Sequence, residues 1–461
     1  MTGAKLLFPI NYGQDYRYKR SCEMLTLIKS GYVIDPASGR EGEYDVLIDG
    51  EMIRQIEADL SAEAVERLAK EEQKQFEVLD AKDKYVMPGF IDLHVHLREP
   101  GYEYKETIAT GAMAAAAGGF TTICPMPNTK PATDSTDMIK LVLEKVEREA
   151  VVNVLPIGAI TIGQAGNELV NIKELKAAGA VALSEDGKSV MDTALYMEAM
   201  RQAAHYGIPI FAHCEDKSLV GNGAINAGKK AMELGLPGIS NAVEDIITAR
   251  DIIMAKETGA QLHLCHISTK DSARMLEAAK REGLPVTGEA CPHHFILSDH
   301  DIKSDDADYK MNPPLRSPED VEALKRALKE GVIDVIATDH APHSIEEKAK
   351  SFVEAPFGIV GLETAFALTF TELVQKGHLS ISQVVEKMSV NPARVLGIDR
   401  GCIDVGRVAD LVIVDPEAEY YIDKEAFFSK GRNTPFEGRR VQGRIICTFV
   451  AGNKVYHRRL R

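Results

Sequence analysis

The segment Phe90-Ile91-Asp92-Leu93-His94-Val95-His96-Leu97-Arg98 places two imidazoles two residues apart at the end of an apolar run. Alternate side chains of a strand share a face. Asp92, His94, His96 and Arg98 therefore lie on one side, and Ile91, Leu93, Val95 and Leu97 on the other, where they suit outer helices. A lone strand histidine is ordinarily structural, whereas a same-face His-x-His at a strand end is a metal-ligand pattern. Four more donors end apolar runs: Asp186 after Ala180-Val181-Ala182-Leu183-Ser184, His213 after Ala212, His266 after Leu264-Cys265, and Asp339 after Ile336-Ala337-Thr338. Alternation carries Asp186 on the face of Ala182 and Ser184, and Asp339 on the face of Val335 and Ala337. Nitrogen and oxygen donors of this kind suit Zn2+, or Mn2+ and Co2+, better than Ca2+ or Mg2+. Six of them exceed the need of one tetrahedral ion and match two ions roughly 3.5–4 Å apart sharing a bridging group. Any one of the six reads equally well as a satisfied polar side chain; six converging positions do not.

Convergence requires a scaffold. Eight strand-like runs alternate with amphipathic helical stretches: Phe90–Leu97, Thr121–Met126, Val152–Ile160, Ala180–Ser184, Ile208–Ala212, Gln261–Ile267, Leu284–Ala290 and Val332–Thr338. Such alternation predicts an α/β fold, a (β/α)8 TIM-type barrel whose active site gathers at the C-terminal strand ends. The donors fall at the ends of strands one, four, five, six and eight. Both chain ends are β-rich. Leu25–Ile28, Tyr44–Ile48 before the turn Asp49-Gly50, Ala409–Val414 and Arg444–Val450 predict a small β-sandwich domain from residues 24–86 and 399–461, flanking a barrel over 87–398. A charge-rich helical stretch near Ala62–Gln75 interrupts the first part. Residues 1–23 read as a polar N-terminal extension, with Met24 as an alternative start.

A net charge of −15 disfavours nucleic acid and anionic membrane surfaces as partners. The first 23 residues hold no apolar run suited to a signal peptide or membrane span. Seven cysteines, several in apolar runs (Cys124, Cys265, Cys447), read as reduced thiols in a cytoplasmic chain rather than a disulfide framework.

Longer motifs surround the donors: Asp92–Gly101 (DLHVHLREPG), Met126–Thr129 (MPNT), Glu185–Gly187, His213–Asp216 (HCED), His266–Thr269 (HIST), Pro292–His294, Lys310–Arg316 (KMNPPLR), Asp339–His343 (DHAPH) and Gly361–Thr364 (GLET). In this order, over about residues 24–456, they resemble the amidohydrolase superfamily and within it the bacterial dihydroorotases that bridge their metals with aspartate. The resemblance implies two Zn2+ per subunit, with Mn2+ or Co2+ as alternatives. It places His94, His96 and Asp339 on one ion, His213 and His266 on the other, and Asp186 between them. It implies reversible cyclisation of N-carbamoyl-L-aspartate to L-dihydroorotate, a step of pyrimidine biosynthesis, with both ions acidifying a shared water. Asp339 would be the catalytic proton carrier. Substrate contacts would come from His96, Arg98, Asn128, Asn312, His343 and the backbone at Phe357-Gly358, and a homodimer would be the assembly.

Arg98 offers planar bidentate recognition of the substrate carboxylate, against an alternative as ion-pair partner of Glu99 or Glu103. Asn128 lies in a Pro-Asn-Thr stretch that also makes an ordinary turn. The loop carrying Lys310, Asn312 and Arg316 reads as a substrate cover or a plain surface loop. Hydantoinases, dihydropyrimidinases and allantoinases usually bridge their metals with a carboxylated lysine; here Lys188 shares the parity of Asp186 but lies beyond Gly187, so Asp186 is preferred. An inactive scaffold homologue would be expected to have lost ligands, and a metal-storage or sensor module would leave the substrate-type residues without a purpose. His263, opposite in parity to His266, is expected outside the barrel, His340 away from the metals, and at least one of His293 and His294 in a supporting or structural role. His205, His300, His378 and His457 read as surface or helix positions.

Overall fold

The computed structural model describes residues 24–458; the expected N-terminal extension, 1–23, and the last three residues lie outside them. Met24–Asp35 pairs antiparallel with Arg40–Asp49, which pairs with Met52–Glu57 across the turn at Gly50, where φ is 58°. Tyr85–Pro88 pairs parallel with Tyr32 and Val33 and antiparallel with Leu411–Tyr421, joining the two chain ends in one sheet. Arg440–Val450 and Asn453–His457 complete its far edge, while Gln75–Asp80 pairs with the first half of Met24–Asp35. A register shift between Ile28 and Gly31 bends the long strand there. Ile28, Val33, Val46, Val86, Leu411, Ile413 and Phe449 form the core of this sheet. The charge-rich stretch is a helix over Ala62–Glu71, capped by Ser61.

The remaining strands form the barrel, apart from Ile225–Asn226 and Gly238–Ile239, which pair with each other in a separate two-stranded sheet. Phe90–Val95, Phe120–Pro125 and Asn153–Val154 pair in parallel, as do Gly158–Ala159, Leu183–Ser184, Ile210–Ala212, Leu262–Leu264, Val286–Ala290 and Val335–Ile336. The expected third strand is split at Pro156: its first half pairs with strand two, its second with strand four. Proline lacks the ladder N–H, so the run breaks without leaving the barrel wall. A parallel bridge between Val95 and His340, with His96 N donating to His340 O at 2.8 Å, closes strand eight onto strand one. Capped helices return the chain between strands; Thr107, Ser135, Asp192, Thr269 and Ser317 each accept from the first turn of the helix that follows.

Two apolar layers fix the wall. Val95 and Leu97 pack with Ile108, Ala112 and other helix residues, whereas Ile91 and Leu93 share a cluster with Cys124, Ile157, Phe211, Cys265, Val335 and Ala393. Phe90 stacks on Phe366 at 5.1 Å beneath the sheet–barrel junction. Burying side chains of this size contributes about 1.5–3 kcal/mol each, which holds the strand ends in one register. Among the described residues no helix is long and apolar enough to cross a membrane.

Candidate metal centre and active site

Each of the six expected donors lies at or just beyond a barrel-strand end, and all are buried: His94 0%, His96 6%, Asp186 4%, His213 6%, His266 2% and Asp339 6% exposed. Asp186 lies among the imidazoles. Its Oδ1 is 3.4 Å from His94 Nε2, 3.5 Å from His213 Nδ1 and 3.8 Å from His266 Nε2; its Oδ2 is 3.6 Å from His96 Nε2. Asp339 Oδ1 is 3.1 Å from His96 Nε2 and 3.5 Å from His94 Nε2. Most of these gaps are longer than hydrogen bonds. Two donors each about 2.0–2.2 Å from one tetrahedral cation stand about 3.3–3.6 Å apart, so the spacing suits ligands around an ion. His94 Nε2 is buried and has no hydrogen-bond partner among the described residues, which is costly for a polar atom and fits a metal-ligating nitrogen. The donor chemistry and this orphan nitrogen fit a divalent-metal centre. His213 Nδ1 also lies 2.9 Å from His266 Nε2, so the second imidazole pair faces inward together.

The electrostatics favour positive charge at the cluster. Burial lowers His94, but Asp339 and Asp186 outweigh it and raise the imidazole well above its ordinary value. Burial also opposes protonation of His213, yet Asp186 and Glu215 lift it to about 9. Asp186 goes the other way: burial would raise it, and His94, His213 and His266 hold it well below the usual carboxylate range. Metal binding would displace these protons.

Carboxylates behind the donors aim them; of these the sequence placed only Asp92, on the face of His94 and His96, and gave no role to Glu289, Glu215 or Glu106. Glu289 Oε1 accepts from His94 Nδ1 at 2.8 Å, leaving Nε2 to face the cluster. Glu215 Oε2 accepts from His213 Nε2 at 3.1 Å, and its Oε1 accepts from Asn312 Nδ2 at 3.1 Å. Asp92 Oδ1 accepts from the amides of His94 and Thr338, and its Oδ2 from Thr338 Oγ1 at 2.6 Å, tying strand one to strand eight just before Asp339. Burial lifts the Asp92 carboxyl to about 7. Glu106 accepts from His340 Nε2, so His340 points away from the cluster as expected. The sequence signal was an acid within or just after an otherwise apolar strand; only the register showed its partner.

Strand parity fails in two places. Ile91 and Leu93 do not face outer helices but share the interior cluster with Ala182, Val335 and Ala337, because the register of strand one shifts at Phe90/Ile91 and again at Asp92/Val95. His263 does not pack outside the barrel: its Nε2 donates to Glu289 Oε2 at 3.1 Å, its Nδ1 meets Thr287 Oγ1 at 2.8 Å, and its ring lies 4.8 Å from Phe211. The parity argument assumed an extended strand through His266, but His266 has φ 35°, which breaks the alternation. Arg98 and Asp339, with φ 62° and 48°, are also left-handed. Non-glycine residues held so at strand ends are the local strain common at functional sites.

The expected substrate residues line the same mouth. Arg98 pairs with neither Glu99 nor Glu103; its Nε donates to Pro342 O at 3.1 Å, and Nη2 lies 3.2 Å from His343 Nε2. His343 Nε2 in turn faces Phe357 O at 2.8 Å. Gly358 has φ 133°, and a Cβ there would meet Ala341 Cβ at 2.7 Å, Ala341 O at 2.9 Å and His343 Nε2 at 3.1 Å, so only glycine lets this backbone approach. Asn433, from near the chain's end, donates to the carbonyls of Ala341 and Gly358 and accepts from His343 N. Asn128 spans the cluster: Oδ1 lies 2.9 Å from His96 Nδ1, and Nδ2 donates to Asp186 Oδ2 at 2.9 Å. Lys310 and Arg316 are buried in scaffolding, donating to Val353 O and Ala355 O and to Ser268, Asn226 and Ile239 respectively. Lys188 is exposed beyond Gly187 and donates to Gln164 O at 2.9 Å, so its amine is engaged away from the donors. His294 Nε2 donates to Pro313 O at 2.8 Å, holding the Asn312 loop.

Comparison with known proteins agrees with this geometry. A family model described as Dihydro-orotase-like matches residues 83–272. The chain is 45% identical over 432 residues to a dihydroorotase of Staphylococcus epidermidis, covering 94% of this chain and 99% of that one. It is 48% identical over 432 residues to a dihydroorotase of Anaeromyxobacter dehalogenans, covering 93% and 97%. Among solved structures, a dihydropyrimidinase from Brevibacillus agri superposes with a TM-score of 0.81 at 27% identity, covering 94% of this chain and 95% of that chain. An L-hydantoinase from Arthrobacter aurescens gives 0.81 at 26% identity, covering 94% and 96%. The fold is thus the barrel-plus-β architecture of cyclic amidohydrolases, and the chain belongs to the dihydroorotase family.

Proposed function

We propose that this chain interconverts N-carbamoyl-L-aspartate and L-dihydroorotate. The observation that carries the reading is the buried gathering of His94, His96, Asp186, His213, His266 and Asp339 with Arg98 Nη2 beside His343 Nε2, in a chain 45–48% identical to dihydroorotases. His94, His96 and Asp339 would hold one cation, His213 and His266 the other, and Asp186 would bridge them. Zn2+ is our choice, with Mn2+ or Co2+ as substitutes. Bound there, the pair would polarise the ring-amide carbonyl and acidify water.

The remaining chemistry falls to the side chains. In the opening direction water adds to the ring-amide carbonyl, the C–N bond breaks, and the nitrogen leaves carrying a proton. Asp339, a carboxylate among imidazoles, would take the water's proton and pass it to that nitrogen; ring closure reverses the transfer. Arg98 would grip the substrate carboxylate, with Asn128, Asn312, His96, His343 and the Phe357-Gly358 backbone orienting the ring. Asp186 rather than Lys188 as bridge, with Arg98 placed for a carboxylate, disfavours a hydantoinase or allantoinase. The full donor set disfavours an inactive scaffold.

We assign residues 24–88 and 399–458 to the β domain and 89–398 to the barrel; the expected boundary at 86 moves because Met87 and Pro88 pair with Val412 and Leu411 in the sheet. The buried unpaired thiols Cys124, Cys214, Cys265 and Cys291 suit the reducing cytoplasm. We take the assembly to be a homodimer, which a monomeric mass in sedimentation would exclude. The test of function is an ultraviolet assay of dihydroorotate opening with and without chelator, alongside hydantoin and allantoin. Chelator-sensitive turnover of dihydroorotate is expected, and preferential turnover of either other ring would overturn the assignment.

A further inference from the structure

His343 is flanked by groups that can only donate or only accept, so its proton can be placed by elimination. Lys105 Nζ lies 3.2 Å from Nδ1. An ammonium has no lone pair, so this contact is attractive only if Nδ1 is the acceptor. Phe357 O, 2.8 Å from Nε2, is a carbonyl and can only accept, which requires a proton on Nε2. Arg98 Nη2, 3.2 Å from the same Nε2, is another donor. The Nε2–H form satisfies Lys105 and Phe357 and leaves one donor facing a donor. The Nδ1–H form satisfies Arg98 alone and sets two contacts in opposition. Glu347 Oε2 also approaches Nδ1, but at 3.5 Å, and it already accepts from Ser344 N at 3.1 Å. Doubly protonated imidazole would face both Lys105 and Arg98, and burial with these cations drives His343 well below its ordinary value.

Lys105 is itself held. Its Nζ pairs with Glu347 Oε1 at 2.9 Å and lies 5.6 Å and 5.5 Å from the ring centres of Tyr102 and Tyr104, while Tyr104 Oη donates to the same Glu347 oxygen.

We propose that Lys105 is a positioning residue that fixes His343 as a neutral Nε2–H donor. Arg98 Nη2 and His343 Nε2–H then stand side by side as two donors that cannot satisfy each other. An anionic oxygen of the substrate entering between them accepts from both, in place of Phe357 O. The inference rests on the proposed reading only for the identity of that anion, the dihydroorotate carboxylate.

The test is nitrogen NMR of the full-length protein, free of substrate and labelled in its histidines, with His343 assigned by its loss in His343→Gln. Pyridine-type Nδ1 and pyrrole-type Nε2 are expected in the unaltered protein; a pyrrole-type Nδ1 overturns the proposal without any variant being made. Lys105→Met should shift His343 toward the other tautomer and raise KM for dihydroorotate about tenfold, the worth of one hydrogen bond to a charged group, with kcat changed less. Lys105→Arg, still a donor, should restore both. A raised KM with an unchanged tautomer would also refute the proposal, because Lys105 would then act through its charge alone. If the chain turned over no dihydroorotate at all, the functional reading would fail, while the substrate-free spectra would still decide the role of Lys105.

Discussion

Replacing Glu289 by Gln tests whether the imidazoles are aimed from behind. Glu289 is fully buried; its Oε1 accepts from His94 Nδ1 at 2.8 Å and from His266 N at 3.2 Å, and its Oε2 accepts from His263 Nε2 at 3.1 Å. Burial would raise this carboxyl, but the bonds from His263 and His94 hold it at about 2, so it is ionised at any working pH. Glutamine keeps the shape but has one acceptor oxygen, and must turn an amide N–H toward one of the two imidazoles. A hydrogen bond to a charged group is worth about 1.5–3 kcal/mol. Outer partners of metal-binding histidines typically contribute 10–100-fold in affinity, about 1.4–2.7 kcal/mol. Relief of a buried charge offsets part of the loss, so about 10–30-fold weaker Zn2+ binding is expected. Competition against a chromophoric chelator measures it, with thermal melting confirming that the variant folds. Affinity within about twofold of the unaltered protein, in a folded variant, would refute the aiming argument.

Asp339→Asn should bind much of the metal yet lose turnover by at least about a hundredfold, the usual worth of general acid–base transfer; near-normal kcat would remove Asp339 from its role. The chelated protein should lose stability with rising pH. His213 is raised from its ordinary value of 6.5 to about 9, so the stabilisation from its protonated form is complete below about 6.5 and disappears as pH climbs through about 9. His94 shifts in the same direction. Melting temperatures of the chelated protein should therefore fall across that window while the metal-loaded protein, with a cation in place of the protons, does not follow. A flat profile after chelation would contradict the charge argument.

Much of the site was legible because strand alternation is a local rule. His94, His96, Asp186 and Asp339 follow from residue type, parity and position at the end of an apolar run, and Arg98 from its place beside them. The rule failed where the backbone left the extended region: His266 at φ 35° put His263 inside rather than outside. The split third strand carried its cause in Pro156, although the run reads as continuous on hydropathy alone. Partners set by tertiary register were beyond reach. Glu289 meets His94 across 195 positions and Asn433 meets His343 across 90, and neither spacing leaves a periodic trace. The joining of the chain ends was foreseen from two β-rich flanks, but not the strand Tyr85–Pro88 that carries the joint.

The most direct test of the paired-cation centre is anomalous diffraction at the zinc edge from crystals of the metal-loaded protein. Two peaks, roughly 3.5–4 Å apart, should lie among His94, His96, Asp186, His213, His266 and Asp339. A single peak, or peaks outside that ring of donors, would contradict the account.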